Sequence, residues 1–394
     1  MNILFVTSYF YERGKTHSNG FLTYLSRISQ ALYSLGHRPI ILAVGNRNRR
    51  WVENGIEIIQ VYDEYISVSN NKCINWIYDS FKKSYKLNQE IKKFESKLKI
   101  DIIQFASTTG TALLYYGKTP AVMRLSMYSK NYFSEDEISA GKCPKTMAWI
   151  ERCASRHCNA VFAPSKVMAD AFGQDIRRKV YVIETPYMED VGVYDDYYVN
   201  TYLKGKKYAL FFGLLTARKG IDVLGECLEQ FLRKNRDYYF VFVGRGVISD
   251  GESAVKMLRK RAGVHADRVI IFPVLPHTQL YPIIQSADFV VLPSRVDNLP
   301  NACIEAMSLG TVVIGTYGAS FDQLIRHGIN GLLCQIGNSD DLLEKMQVVV
   351  KLDREQKEHI GYNAKKRIEQ LKPDIVGRKL LSFYNYVIEE TKRR

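Results

Sequence analysis

Long apolar runs are missing from this chain of 394 residues. No stretch approaches the roughly 18 consecutive apolar residues that a membrane-spanning helix needs. Cysteine is scarce: there are seven, an odd number, and no Cys-x-x-Cys pair, which excludes a small disulfide-stapled scaffold. Cys143, Cys153, His157 and Cys158 lie close in sequence, but their intervals fit no zinc ribbon or finger, so no metal is expected and the thiols read as reduced residues in or near a core. Low-complexity segments and short-period repeats are absent, which removes the collagen, coiled-coil and disordered classes. The first residues, Met-Asn-Ile-Leu-Phe-Val-Thr, lack the basic start and cleavage site of a secretory signal and read as a strand, so the expectation is a cytoplasmic chain. A surplus of acid is also missing. Lys and Arg number 55 against 41 Asp and Glu, a net charge of +14. That balance favours anionic partners: nucleic acid, an anionic membrane surface or phosphorylated substrates. No helix-turn-helix, RNA-recognition or zinc module occurs, so no nucleic-acid partner is expected.

What the chain does contain is 46% apolar residues, enough for a sizeable core, and a length that suggests two or three domains at roughly 150 residues each. Short β-branched runs recur in the first half at residues 3–8, 39–44, 56–61, 102–105, 121–125, 160–163 and 180–183. Between the first two, residues 21–35 carry Leu22, Leu25, Ile28, Ser29 and Leu32 on one helical face, with Gly36 as a stop. The second half repeats the theme. Runs at 208–212, 239–243, 269–272, 289–292 and 312–314 have few charges, as suits strands buried on both faces of a parallel sheet. Helical patterns at 221–234, 252–262, 278–285 and 301–309 follow most of them. Two such βαβ arrays mean an α/β protein with two doubly wound domains. Residues 188–207 show no clear period. The expected division is a first domain over 1–190, a linker over 191–207, a second domain over 208–372 and a last helix within 373–394 that packs back towards the first domain.

In open parallel sheets, ligands bind beyond the carboxyl ends of the strands. Four strand ends here stand out. The loop after the first run holds Gly14 and leads through Asn19-Gly20 into a helix, which can present backbone N–H groups to a phosphate or be an ordinary turn. Residues 213–220, Gly-Leu-Leu-Thr-Ala-Arg-Lys-Gly, put Arg218 and Lys219 at a helix N-terminus, where cations oppose the helix dipole. An anion in the site would account for them; so would a solvated basic turn. Gly244-Arg245-Gly246 after a strand allows close backbone approach, but Ser249 breaks the Gly-x-Gly-x-x-Gly pattern and no ribose-binding acid stands out, which argues against a nicotinamide site. The fourth runs from Leu292 to Gly310. A buried strand enters a loop with Asp297, then Pro300-Asn301 starts a helix in which Glu305 sits among Ile304, Ala306 and Met307. An acid among apolar neighbours is costly to bury without a partner, and a pair of sugar hydroxyls is one such partner.

This fourth segment resembles the E-x7-E region of family-4 glycosyltransferases, which adopt the GT-B fold. Asp297 stands in the first acidic position and Glu305 in the second, within Glu305-Ala306-Met307 followed by Gly310. The likeness continues through residues 312–316, Gly318 and residues 329–333, with Thr311 in place of the usual Pro. It reaches back to Ala287-Asp288, to Gly244-Arg245-Gly246 and to the loop from Gly213 to Gly220, and more weakly to Gly20, Gly36-His37 and Ala163-Pro164-Ser165. The resemblance implies two Rossmann-like domains facing a cleft and a retaining, metal-independent transfer of a hexosyl unit from a UDP- or GDP-linked donor to a hydroxyl, with no cofactor. Carried over by position, Glu305 would bond the ribose hydroxyls. Asp297 and the backbone that follows it, Asn298, Leu299, Pro300 and Asn301, would hold the donor sugar. Lys219 with Arg218 would neutralise the departing diphosphate, and Gly20, Gly213, Gly244 and Gly246 would bring backbone to the donor.

Three departures from the family are visible. Leu214 stands where Arg often follows the first glycine of the phosphate loop. Residues 122–126, Val-Met-Arg-Leu-Ser, stand where many relatives carry a His, which makes Arg124 and Ser126 candidates for the acceptor side. Gln323 follows Asp322 where Glu is common. These departures keep open a second reading, a non-catalytic subunit that binds glycan or steadies a partner. On the acceptor side, residues 74–98 read as a basic amphipathic helix, interrupted near Asn88: Ile74, Ile77, Phe81, Tyr85, Ile91, Phe94 and Leu98 alternate with Lys82, Lys83, Lys86, Lys92, Lys93 and Lys97. A domain helix with a solvated lysine face fits this pattern, and so does contact with an anionic membrane surface. The second alternative suggests a glycan or lipid-linked glycan acceptor at the inner face of a membrane, in the building of a surface polysaccharide.

Overall fold

The computed structural model describes residues 1–10, 20–132, 143–189, 192–246 and 253–393. Its contacts divide the chain into two compact units, Met1–Met188 with Leu371–Arg394, and Glu189–Gln370. Each is built on a sheet that is parallel apart from one edge hairpin in the first.

The first unit's strands are β1 (Asn2–Thr7), β2 (Arg38–Gly45), β3 (Arg49–Glu53), β4 (Ile56–Tyr62), β5 (Ile102–Ala106), β6 (Ala121–Arg124), β7 (Ala160–Ala163) and β8 (Val180–Val182), in the order β3-β4-β2-β1-β5-β6-β7-β8. The order reverses between β1 and β5, the place where a doubly wound sheet opens a crevice. Successive β1 residues serve opposite faces. Ile3 and Phe5 pack with Leu22, Leu25, Ile28 and Leu32 of α1 (Gly20–Ser34), whereas Leu4 and Val6 pack with Leu87 and Ile91 of α2 (Lys72–Glu95). Burial on both faces is why these strands read as unbroken apolar runs. The last helix, Pro373–Arg393, joins the α1 side through Val376, Leu380, Tyr384 and Val387. Gly377 lies against this contact, where a Cβ would meet Leu35 at 3.1 Å.

The second unit's strands are β9 (Lys207–Phe212), β10 (Tyr238–Val243), β11 (Val269–Phe272), β12 (Phe289–Val291), β13 (Val313–Thr316) and β14 (Leu332–Cys334), all parallel, in the order β11-β10-β9-β12-β13-β14. Here the switch lies between β9 and β12. The stretch read as patternless contains a π-helical turn, Val199–Leu203, and its tyrosines pack on the sheet: the rings of Tyr198 and Tyr202 lie 4.9 and 5.6 Å from that of Phe272.

The structure corrects the reading of α2. It runs through Asn88 without a break, because that side chain donates to Ser84 O of the preceding turn. Its apolar residues do not form one stripe. Ile77, Leu87, Ile91, Phe94 and Leu98 pack on the core, while Ile74, Tyr78, Phe81 and Tyr85 are exposed. Its lysines are not a free face either: Lys82 and Lys86 pair with Asp63, Lys83 with Asp79 and Lys93 with Glu90.

Candidate active site

The second unit gathers its candidate residues on three loops at the carboxyl edge of β9, β10 and β12. Gly213 ends β9 with φ +127°, and its N–H donates to Val243 O at 3.0 Å. The loops after β9 and β10 then close on each other. Leu215 N donates to Arg245 O at 3.0 Å, and a Cβ at Gly244 or Gly246 would sit 1.9 Å from Gly213 O or 2.1 Å from Leu215 O. No other residue type fits such an approach of backbone to backbone. Among the described residues, a Cβ at Gly213 itself would meet nothing within 4 Å, which leaves room in front of this turn.

Arg218 and Lys219 lie in a 3-10 turn, Ala217–Lys219, which leads through Gly220 into the helix Ile221–Lys234. Lys219 Nζ pairs with Asp297 Oδ2 of the loop after β12, both groups being largely covered. The second carboxylate oxygen of Asp297 accepts the Asn298 N–H at 2.9 Å, and Ser320 donates to Asp297 O at 3.0 Å. The Asn298 N–H, a candidate for the donor sugar, donates to the neighbouring carboxylate in this structure. Leu299 is buried, and Pro300 precedes the first turn of the helix Asn301–Ser308, whose N-terminal N–H groups lack helical partners. Glu305 sits in that helix with a side chain 16% exposed, its Oε1 3.9 Å from His277 Nε2.

Two members of this constellation carry no sequence signal. His277 starts the helix His277–Ser286 and stacks on Tyr281, with ring centroids 5.1 Å apart. Arg295 pins the loops together. Its Nη1 donates to Ala217 O at 3.1 Å and to Asp222 Oδ1 at 2.7 Å, and its N–H donates to Arg218 O at 2.9 Å. Its role comes from partners more than 70 positions away, which no local pattern reveals.

The remaining candidates belong to the first unit. Gly20 is the first residue of α1 and is exposed. Arg124 ends β6, is buried, and donates to Ser126 Oγ at 3.2 Å. The phosphate loop position Gly14 and the segment around Ser249 lie outside the described residues. Among the described residues, no group of three or more His, Cys, Asp or Glu side chains is arranged to hold a metal ion. Of the Cys and His residues that lie close in sequence over 143–158, Cys158 is buried, His157 stacks edge-on against Tyr116, and Cys143 meets Cys73.

Residues 199–367 match the family described as glycosyl transferases group 1. An uncharacterised glycosyltransferase of Methanocaldococcus jannaschii is 27% identical over 204 residues, 52% of this chain and 48% of that protein. The chain thus spans about half the length of the curated relatives it matches. Two solved structures share the fold across almost all of both chains. The sucrose-phosphate synthase of Thermosynechococcus elongatus gives a TM-score of 0.74 at 16% identity, covering 99% of this chain and 100% of that one. Anabaena HepE in complex with UDP gives 0.71 at 15% identity, covering 98% and 100%. Residues 199–367 thus match the group 1 glycosyltransferases, and the two Rossmann-like units share the GT-B fold of these solved structures across almost the whole chain.

Proposed function

We propose that the protein is a retaining glycosyltransferase that moves a hexosyl unit from a UDP- or GDP-linked donor to a hydroxyl of a glycan or lipid-linked glycan, without a metal, in surface polysaccharide assembly. The observation that carries this reading is the Lys219–Asp297 pair beside the open Gly213 turn: a cation and an acid from two strand ends, at the sheet's switch point. A leaving diphosphate develops negative charge, and a cation already held in place stabilises it with little reorganisation. In this reading Lys219 and Arg218 receive the diphosphate. Asp297 positions Lys219 in the free enzyme and orients the sugar with the Asn298, Leu299, Pro300 and Asn301 turn. Glu305 bonds the ribose, steadied by His277. Gly213, Gly244 and Gly246 let the donor lie against backbone. Gly20, Arg124 and Ser126 serve from the first unit, the latter two towards the acceptor. The UDP held by the Anabaena neighbour supports a nucleotide donor. The exposed Ile74, Tyr78, Phe81 and Tyr85 of α2, with Tyr65, Ile66 and Val68 before it, support contact with a membrane surface.

The test is a thermal-shift titration with UDP, GDP, ADP and CMP. A nucleotide present at 100 times its Kd stabilises the folded chain by about 2.7 kcal/mol. The expected result is a shift with UDP or GDP that Glu305→Ala weakens at least tenfold in affinity. No shift with any nucleotide would overturn the donor-site assignment and favour a non-catalytic subunit.

A further inference from the structure

Among the described residues, a buried cation without a buried anion sits at the carboxyl edge of the first unit's sheet. Arg124, the last residue of β6, is 3% exposed. Its guanidinium carbon lies 3.5 Å from the centroid of the Tyr24 ring of α1. Nη1 donates to Ser126 Oγ at 3.2 Å and Nη2 to Thr185 Oγ1 at 3.1 Å, while Nε is buried and makes no hydrogen bond. Among the described residues no carboxylate acts on this group; its charged-state neighbours are the phenols of Tyr24 and Tyr384. Burial raises both phenols, so both are neutral near pH 7. Tyr384 instead donates to Gln104 Oε1 at 2.6 Å.

A guanidinium does not shed its proton in proteins, and holding its charge out of water is costly unless an opposite charge or a full set of acceptors answers it. Two hydroxyls, the Tyr24 ring face and its neutral phenol answer it only in part, with Nε left over. The surroundings point to what completes the set. Ser126 and Thr185 are partly exposed, so the guanidinium lies one layer below solvent. The Ser126 N–H donates to Ser107 Oγ at 3.2 Å, which brings a third hydroxyl residue from the end of β5 to the same edge. Ser8, at the end of β1, has a buried hydroxyl with no hydrogen bond. Strand ends of a parallel sheet are where ligands enter, and a guanidinium flanked by hydroxyls matches a planar or tetrahedral oxyanion.

We propose that Arg124 receives an oxyanion, a phosphate or carboxylate, carried by the acceptor. The word acceptor rests on the glycosyltransferase reading above; the anion site does not, and the two fail separately. Nε and one Nη of Arg124 hold the oxyanion as a bidentate pair, and the Ser126 or Thr185 hydroxyl adds a third donor. The acceptors this selects are sugars or small hydroxylated molecules that already bear an acidic group.

The test measures binding of inorganic phosphate to the full chain by equilibrium dialysis. Lys219→Ala serves as the background, because it removes the cation assigned to the donor diphosphate. The Lys219→Ala chain is expected to bind one phosphate, and adding Arg124→Gln to weaken that binding at least tenfold. Ser126→Ala with Thr185→Val, which leaves the buried cation in place, is a second variant on the same background and should weaken binding several-fold. Acetate distinguishes the sources: displacement of phosphate at equal concentration assigns a carboxylate, and failure to displace assigns a phosphate. No phosphate on the Lys219→Ala chain, or binding that stays within twofold in both variants, overturns the proposal. The donor reading is judged apart from this, by the UDP and GDP shifts.

Discussion

Lys219 and Asp297, 78 positions apart in sequence, meet as an ion pair at the carboxyl edge of the second unit's sheet. The pair joins the loop after β9 to the loop after β12, so the cation is fixed before any substrate arrives. Both side chains are largely covered, so their attraction is offset by the cost of taking both charges out of water, and the intact pair adds little net stability. Its value lies in positioning charge. On the proposed reading Lys219→Ala is expected to lower kcat about 100-fold or more, the cost of losing one preorganised electrostatic contact to the transition state, and also to lower the melting temperature, because the covered Asp297 carboxylate loses its partner. Steady-state kinetics with the donor identified by thermal shift, compared with Asp297→Asn, check this. A kcat within threefold of the native chain would remove Lys219 from the chemistry.

Glu151 predicts a pH dependence of stability away from any catalytic group. It lies in the helix Pro144–Ser155, is buried, and accepts the Ser129 hydroxyl at 2.7 Å and the Ser129 N–H at 3.1 Å. Burial pushes its carboxyl up to about 8, a rise that these hydrogen bonds only partly offset. In the unfolded chain the same group titrates near about 4.3. Below that value both states hold the proton, and the contribution to stability is fully present. As pH rises from there towards 8 the unfolded state gives up its proton while the folded state keeps it, so stability falls. Glu151→Gln keeps an acceptor oxygen for Ser129 and cannot ionise. It should melt roughly 5 °C above the native chain at pH 8 and level with it at pH 4.5. Parallel melting curves at both pH values would show the carboxyl to be unperturbed.

The contrast between β10 and β3 shows what was legible in the sequence. Phe240, Val241 and Phe242 are buried on both faces and read as a strand without context, whereas β3 is a charged antiparallel edge, Arg-Arg-Trp-Val-Glu, with no apolar run to betray it. The helix Arg354–Glu369 escaped for the same reason: it buries only Ile360, Gly361, Ala364 and Ile368, and its start is set by a capping box between Asp353 and Gln356. At the candidate site, acids and glycines at strand ends were visible because their spacing is local. Arg295 and His277 were not, because each acts across loops that only the folded chain brings together. In α2 the periodicity misled, because its inner face is partly polar. Asn75 there accepts the N–H groups of Val68 and Ser69, and Ser84 donates to Thr111 O, so polar residues are satisfied inside while aromatic ones stay outside.

That outer face leads to a prediction about membranes. Ile74, Tyr78, Phe81 and Tyr85 recur at helical spacing on one exposed side of α2. With Lys82, Lys83 and Lys86 held by acids, apolar insertion and not lysine attraction is the term left to drive docking. Vesicles of mixed phosphatidylcholine and phosphatidylglycerol should carry the protein in a flotation assay. Phe81→Ser with Tyr85→Ser should reduce binding about tenfold, since each buried aromatic contributes roughly 1.5–3 kcal/mol when fully covered and less when half inserted. Both residues are on the surface, so the melting temperature should hold. Equal flotation of variant and native chain would place the contact elsewhere.

The last prediction concerns the thiols at the starts of two helices. Cys73 lies in the first turn of α2, and Cys143 caps the helix Pro144–Ser155; their sulfur atoms are 2.6 Å apart although no disulfide joins them. Cys73 is the more accessible, while burial and the neighbouring thiol push Cys143 up to about 11. An external disulfide such as glutathione disulfide should therefore react first at Cys73. The Cys73 thiolate attacks one glutathione sulfur and expels the other as a thiolate. Cys143, losing its proton to solvent, then attacks the Cys73 sulfur and expels the second glutathione, giving one intramolecular disulfide and two glutathione thiols. Proximity compensates for the small thiolate fraction at Cys143. Mass spectrometry of a non-reducing digest should find the Cys73–Cys143 cross-link after oxidation and lose it on adding dithiothreitol. Cys73→Ser should leave Cys143 unmodified under the same treatment. Recovery of glutathione on Cys73 as a stable mixed disulfide, with no cross-link, would show that the two sulfur atoms do not reach bonding geometry.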